Sequence, residues 1–306
     1  MTSPFGPLVL IANPRAGRGK VGEALPKIER ILTETGLDYR VVRTTHPGHA
    51  TQAARDALRG GERYLVAAGG DGTVHEVVNG MIAGDQPIAA DAVLGVVAAG
   101  SGSDFVKSFG LPGDAVQAAH HLAGDRIRNI DVGKVTCTDG TAEMTRYFAN
   151  IAQAGIGGAV VARSATLPGF LGPAKYVSAF WLVLPGFRPS TVRLDADGEA
   201  FCWQAHNVVV ANCRFYGGGM HISPKSTPDD GALDVLVMAG PKSDAFTLLP
   251  KIYRGSHLPH RNIVELQAGR VRIETDPPFR IEADGETLGT TPATFEVIRN
   301  PIRLKV

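Results

Sequence analysis

Cysteine is scarce in this chain. Cys137, Cys202 and Cys213 are the three present among 306 residues, an odd number at wide spacing. A disulfide frame is thereby excluded as the organising principle, and reduced thiols of a cytoplasmic protein are expected. An excess of charge of one sign is also lacking. The formal net charge is +1, and no basic run interleaves with aromatics, so nothing points to nucleic acid. Long hydrophobic runs are missing too. The most apolar stretch, Val177 to Phe187, is about half the ~20 residues a membrane span requires. It is expected to form a buried helix, with a lipid-facing surface as the alternative. Leu8 to Ala12 is too short for a signal-peptide core and no basic segment precedes it. No Gly-x-Ser-x-Gly elbow occurs. His46-x-x-His49 and His257-x-x-His260 lack cysteine or acidic partners at zinc spacing.

Glycine, by contrast, is plentiful: 37 residues, above the usual ~7%. Loops are therefore expected to carry much of the information. The first part of the chain alternates strand and helix patterns. Strands are read at Leu8–Ala12, Tyr39–Arg43, Tyr64–Ala68 and Val93–Ala98. Helices are read around Val21–Leu32, at Ala50–Arg59 and at Thr73–Ala83, with more around Phe105 and Ala115–Leu122. Pro26 fits the first of these helices only in its first turn. Such alternation predicts a parallel α/β sheet. After Gly124 short strand patterns dominate, among them Arg146–Gln153, Ala205–Ala211, Leu233–Met238 and Phe279–Glu282. Helical patterns recur at Gly158–Ala165, Ala174–Leu184 and Asp244–Tyr253. The composition predicts two domains, 1–125 and 126–306, the second an antiparallel sandwich or barrel-like fold.

Three loops follow strands of the first domain. Gly69-Gly70-Asp71-Gly72-Thr73 ends an apolar strand and opens a helix. Its glycines let the backbone turn tightly and approach a ligand, and the helix start offers N–H groups to an anion. A tight turn with a capping Asp is the alternative. Asn13-Pro14-Arg15-Ala16-Gly17-Arg18-Gly19-Lys20 supplies glycines and three cations. It is not a Walker A loop, and its Gly17-x-Gly19-x-x-Gly22 match to a dinucleotide loop starts four residues late. Gly100-Ser101-Gly102-Ser103-Asp104-Phe105 places hydroxyls between glycines, with Asp104 equally suited as a helix N-cap. Loops after parallel strands converge at the carboxyl edge of the sheet, where such folds bind ligands.

In the second half, Asp284-Gly285-Glu286 sets two carboxylates around a glycine. In a strand they would share a face; a hairpin turn at Asp284-Gly285 is the alternative. Ser226 to Asp234 forms an acidic segment suited to a hard cation or to a Pro-Asp-Asp-Gly turn.

These motifs, in this order, resemble the diacylglycerol kinase catalytic-domain family, in particular bacterial soluble lipid kinases and their sphingosine and ceramide kinase relatives. The likeness runs through NPRAGRGK, TTHPGHA, GGDGTVHEVVNG, GSGSDF, FANIAQAGIGG, SPKSTPDDGALDV and ADGE. It implies an ATP-binding α/β domain of the NAD-kinase and phosphofructokinase kind. It further implies a β-rich lipid-substrate domain, an interdomain cleft, and phosphoryl transfer from ATP to a lipid hydroxyl. By that resemblance Asn13, Pro14, Arg15, Ala16, Gly17, Thr44, Gly69, Gly70, Asp71, Gly72, Thr73, Val74, His75, Glu76 and Ser101 contact ATP. Asp284 and Glu286 serve the acceptor hydroxyl. Asp71 helps place a catalytic Mg²⁺ and is itself a candidate base. Thr227 and Ala232 carbonyls with the Asp230 carboxylate hold a structural Mg²⁺. His75 stands where bacterial members usually carry Asn, and Ser103 replaces the usual Asn before Asp104. Expected partners are a lipid substrate, a transient membrane surface and, as a candidate, a second copy of the chain. An NAD-dependent oxidoreductase and a non-catalytic nucleotide-sensing module are the rival readings.

Overall fold

The computed structural model describes residues 3–98, 103–168, 171 and 174–306. It divides into two compact units, Met1–Asp131 with Arg299–Val306, and Val132–Ile298. The last eight residues thus belong to the first unit. Their strand pairs in parallel with Val93–Ala98, Arg303 lying opposite Val93.

In the first unit, β1 (Leu8–Ala12), α1 (Lys20–Glu34), β2 (Tyr39–Arg43), α2 (His49–Arg59), β3 (Tyr64–Gly69) and α3 (Asp71–Met81) come first. A small hairpin, β4 (Ile82–Ala83) with β5 (Gln86–Pro87), leads to β6 (Val93–Ala98), α4 (Asp104–Phe109) and α5 (Ala115–His121). The strands β6, β3, β1 and β2 lie side by side in that order, all parallel. Residues of β1, β3 and β6 are fully buried, as strands covered on both faces must be. On one face Val21, Leu25, Ile28 and Leu32 of α1 pack with Leu8, Leu10, Tyr64 and Val66. Tyr64 also donates its hydroxyl to the Leu122 carbonyl at 2.9 Å.

Two details depart from the sequence pattern. Pro26 sits inside α1 rather than in its first turn. Its ring lies on the exposed side, where the missing N–H leaves the core-facing contacts intact. Helix α3 begins at Asp71, two residues before the apolar period starts, because the Gly70 carbonyl accepts the N–H groups of Thr73 and Val74.

The second unit takes in β7 (Ile127–Thr138), β8 (Glu143–Phe148), β9 (Ile151–Gly155), α6 (Ile156–Ser164), α7 (Ala174–Val183), β10 (Ser190–Ala196), β11 (Glu199–Ala205) and β12 (Asn207–Ala211). Next come β13 (Phe215–Tyr216), β14 (Met220–His221), β15 (Leu233–Met238), α8 (Asp244–Arg254), β16 (Ile263–Ala268), β17 (Arg270–Asp276), β18 (Arg280–Ala283) and β19 (Glu286–Lys305); β7 up to Asp131 and β19 from Arg299 belong to the first unit. Strands β16, β15, β12, β9 and β18 run side by side, antiparallel throughout. A second layer is built from β11, β10, β17 and β19. Both layers contribute to one core, with Val208, Val210, Val235 and Ile281 from the first and Val192, Leu194, Ile273 and Phe295 from the second. This is the β-rich sandwich expected.

Two expectations are corrected here. Arg146–Gln153 is not one strand: it breaks at Ala149–Asn150 between β8 and β9. The apolar stretch from 177 is not a buried helix. Of α7 only Ala179 is buried, and Leu182 is 57% exposed.

Candidate active site

The strands of the first unit end level with one another. Ala12 lies opposite Arg43 and Ala68, and Gly69 opposite Ala98. The segments that follow β1, β2, β3 and β6 therefore leave the sheet at one edge. In the order β6-β3-β1-β2, β1 leads to β2 on one side and β3 to β6 on the other, which makes the carboxyl ends of β1 and β3 the switch point where such folds bind ligands. The dinucleotide-binding order instead sets β1 between β2 and β4, so the Gly17-x-Gly19 match lies in a different topology.

The loop after β1 is tightly tied. Asn13 donates its N–H to the Ala68 carbonyl at 3.0 Å and accepts the Arg15 N–H on its side chain at 3.1 Å. Arg15 is right-handed, whereas Gly17 and Arg18 are left-handed, with φ of 60° and 63°. The Ala16 and Gly19 N–H groups are bonded within the loop, to the Asn13 and Arg15 carbonyls. Thr44 follows β2 and donates its N–H to the Ala12 carbonyl at 2.8 Å.

The loop after β3 separates two kinds of glycine. A Cβ at Gly69 would collide with the Thr73 side chain, so the fold itself requires glycine there. Gly70 has an ordinary φ of −94°, and among the described residues neither Gly70 nor Gly72 has an atom from beyond its own stretch of chain within 4 Å of a built Cβ. Nothing among the described residues demands glycine at those two positions. The space they leave suits a ligand that approaches the backbone closely. Thr73, Val74 and His75 are buried, and the first two N–H groups are bonded to Gly70. Their part in the site is to shape the loop from beneath.

Asp71 caps a helix, though not its own. Its carboxylate accepts the N–H groups of Asp104 and Phe105, both at 3.1 Å. These are the first N–H groups of α4, whose N-cap Ser103 makes no side-chain cap bond. Asp104, read from sequence as the N-cap, is instead the buried first residue of that helix. Glu76 works in the same way. It accepts the Ala50 N–H at 2.9 Å at the start of α2, where Gly48 offers no side chain. Each carboxylate thus locks a neighbouring helix to the loop. Ser101 and its flanking glycines lie outside the described residues.

In the second unit, Asp284 and Gly285 form a two-residue hairpin between β18 and β19, Ala283 lying opposite Glu286. Their φ values of 48° and 89° define a type I′ turn. The hairpin reading holds, and the carboxylates do not share a strand face. The Asp284 carboxylate accepts the N–H groups of Ala149 at 2.8 Å, Asn150 at 3.1 Å and Ile151 at 3.0 Å. That capture is why the chain breaks between β8 and β9. Glu286, the first residue of β19, is exposed. Beneath the turn lies a group that sequence reasoning missed: Glu282, 2% exposed, accepts the Gly285 N–H at 2.9 Å and the Gln153 amide at 2.7 Å. Its only sequence signal is its place two residues before Asp284.

The acidic segment before β15 is closed by its own hydrogen bonds. The Thr227 carbonyl accepts the N–H groups of Asp229 and Asp230. Asp230 accepts the Ala232 N–H at 3.1 Å and the Gln267 amide at 3.0 Å. Asp234 beside it has its carboxyl pushed above the usual range, chiefly by burial. No group of three or more His, Cys, Asp or Glu side chains is gathered at metal-binding spacing among the described residues.

An α/β unit with phosphate-type loops at its switch point, followed by a β-sandwich, defines a class. Comparison with known proteins places the chain within it. Residues 7–135 match the diacylglycerol kinase catalytic domain, and residues 150–306 match the YegS C-terminal NAD kinase beta sandwich-like domain. The chain belongs to the family that joins these two domains. It is 29% identical to a diacylglycerol kinase of Bacillus subtilis, over 94% of this chain and 91% of that protein. A diacylglycerol kinase of Staphylococcus haemolyticus is 26% identical over 96% and 86%. Among solved structures, a diacylglycerol kinase from Bacillus anthracis superposes with a TM-score of 0.74 at 24% identity, covering 99% of this chain and 97% of the other. A yeast NADH kinase complexed with NADH gives 0.52 at 13% identity, over 97% and 82%; both show the fold.

Proposed function

We propose that this protein is a lipid kinase that moves the γ-phosphoryl group of ATP to a lipid hydroxyl. The observation that carries the reading is the pair Gly70 and Gly72. Their missing side chains serve no contact among the described residues, and they follow β3 at the same sheet edge that the Asn13–Gly17 loop leaves. A triphosphate fits that combination, with family membership supplying the class of reaction.

Phosphoryl transfer asks for positioning and charge neutralisation more than covalent chemistry. The loops at Asn13–Gly17 and Gly69–Gly72 would seat the phosphates, with Thr44 beside them; a nucleotide contact by Ser101 rests on the family likeness alone. A carboxylate accepts at up to about four sites, so capping α4 is compatible with Asp71 holding a Mg²⁺ through water. When bound, Mg²⁺ would neutralise charge on the transferring group. Glu286 is assigned as the base that takes the proton of the acceptor hydroxyl. Glu286 is an exposed residue, whereas three of the roughly four acceptor sites of the Asp284 carboxylate are taken by backbone N–H groups. Asp284 is then the residue that holds the turn. A structural Mg²⁺ on the Thr227 and Ala232 carbonyls with Asp230 would replace the Gln267 contact. Contact with a lipid surface is assigned to α7 and α8. There the Trp181 and Phe246 rings lie tilted against each other, centroids 4.8 Å apart, Phe246 is 68% exposed, and Lys251 and Arg254 lie in the last turn of α8.

The deciding experiment is a γ-labelled ATP assay over a panel of diacylglycerols, monoacylglycerols and sphingoid bases in mixed micelles, with products resolved chromatographically. A labelled lipid product supports the reading. Nucleotide binding with no lipid product on any acceptor favours a sensing module instead.

A further inference from the structure

A chain of buried polar side chains runs beneath the Asp284–Gly285 turn and ends at the helix α6. Gly157 donates its N–H to the Asn207 side-chain oxygen at 3.2 Å. Asn207 donates its amide to the Gln153 oxygen at 2.9 Å. Gln153 donates its amide to Glu282 at 2.7 Å, and Gly285 donates its N–H to the other Glu282 oxygen at 2.9 Å. Gln153, Asn207 and Glu282 are 1%, 2% and 2% exposed.

The direction of these bonds is fixed at both ends. Gly157 and Gly285 are backbone donors and cannot reverse. With a donor at each end, every bond must point inward, and one member must accept from both sides. A carboxylate does this, being acceptor-only; a side-chain amide in its place forces two donors to face each other somewhere along the row. A buried unsatisfied donor is costly, and so is a buried charge. A hydrocarbon core would avoid both, so the charge needs a reason. Gly157 belongs to the same device, because a Cβ there would collide with the Gln153 side chain.

We propose that Glu282 is a positioning residue that acts through Gln153 and Asn207. It ties the turn carrying Asp284 and Glu286 to the first turn of α6, so that the acceptor-side carboxylates and this helix move as one body. This rests on the acceptor role given above to that turn.

The test uses the full-length protein and two variants. Glu282→Gln breaks the polarity of the row. The exchange Glu282→Gln with Gln153→Glu restores it. The amide introduced at position 282 then accepts from Gly285 and donates to the carboxylate introduced at position 153, which also accepts from Asn207. Misplacement on the ångström scale costs about 10- to 100-fold in turnover. Glu282→Gln is therefore expected to lose about that much kcat while KM for ATP stays unchanged, and the Gly157 and Gly285 amides should exchange faster with solvent. The double variant is expected to recover protection at both amides and kcat to within about threefold. Wild-type kcat in Glu282→Gln overturns the proposal, as does an unfolded or inactive double variant. If the wild-type protein itself transfers no phosphoryl group, the functional reading fails, and amide exchange still decides whether the row couples the turn to α6.

Discussion

The glycine loops of the first unit and the carboxylate turn of the second use the same residues, glycine and aspartate, in opposite ways. At Gly70 and Gly72 the chain leaves space that no described protein atom fills. At Asp284 one carboxylate instead gathers three N–H groups. Glycine in the first unit leaves room beside the backbone. Aspartate in the second builds the scaffold for its neighbour Glu286. A short motif therefore marks a place in the fold before it marks a chemical role, and the hydrogen-bond partners decide which residue is committed to the scaffold.

The sharpest way to break that contrast is at the turn. Glu286→Gln should lower transfer by about 10²- to 10⁴-fold, the usual effect of losing a general base, with the unfolding midpoint unchanged. Asp284→Asn should lose both activity and stability. An amide placed there sets its own NH₂ against at least one backbone donor, a cost of roughly 1–3 kcal/mol. Denaturant unfolding measured beside turnover separates the two. If Asp284→Asn is as stable as wild type while Glu286→Gln is fully active, the roles must be exchanged.

The two kinds of glycine give the next largest effect. Gly72 lies in helical conformation with open space around it, so Gly72→Ala should stabilise the fold by about 0.5–1 kcal/mol. The same methyl group would intrude on the phosphates and weaken ATP binding by roughly 10-fold or more, in line with an overpacking cost of ~1–3 kcal/mol. Gly69→Ala should do the reverse, lowering stability through its collision with Thr73. Calorimetry of ATP binding alongside thermal unfolding would show the crossed pattern. Unchanged affinity in Gly72→Ala removes this loop from the nucleotide site.

Much of this arrangement could be read in the sequence. Alternating apolar runs give the parallel sheet, and three glycine loops after its strands converge because parallel strands end at one edge. The Asp-Gly pair between apolar runs announces its hairpin. What could not be read is who accepts from whom. Asp71 caps a helix that begins at residue 104, Glu76 caps one that begins before it, and Asp284 reaches back to Ala149. Those are long-range partners, and local pattern carries no trace of them. Buried Glu282, Gln153 and Asn207 look like ordinary strand residues because each sits in an apolar run. The same limit misled the reading of α7. Its composition says core, but a helix is buried only if a neighbour covers it, and composition does not name neighbours.

The exposed face of α7 and α8 yields a smaller, reversible effect. An apolar helix face flanked by cations suits the interfacial zone of an anionic bilayer. Phe246→Glu with Leu182→Glu should reduce sedimentation with phosphatidylglycerol vesicles several-fold, and leave activity on a short-chain, fully dispersed acceptor near wild type. Equal vesicle binding by the variant would assign that face to another partner.

The smallest effect expected concerns pH. Burial pushes three histidines of the second unit, His257, His221 and His206, below the usual histidine range, and does the same to His121 in the first. Above the unfolded value near ~6.5 both folded and unfolded states hold these rings neutral, and stability is fully present. As pH falls through that value the unfolded chain takes up protons that the folded unit resists. Stability then declines until the folded values are reached. Asp234, whose carboxyl is raised by burial, acts with the opposite sign. Its contribution is complete below ~3.9 and fades as pH rises through its folded value. The thermal midpoint should therefore stay level from about pH 8 to 7 and drop toward about pH 5. His257→Gln should flatten that drop, because its ring, 2% exposed, is the most deeply buried of the three. A slope equal to wild type in His257→Gln would show that the acid sensitivity comes from elsewhere.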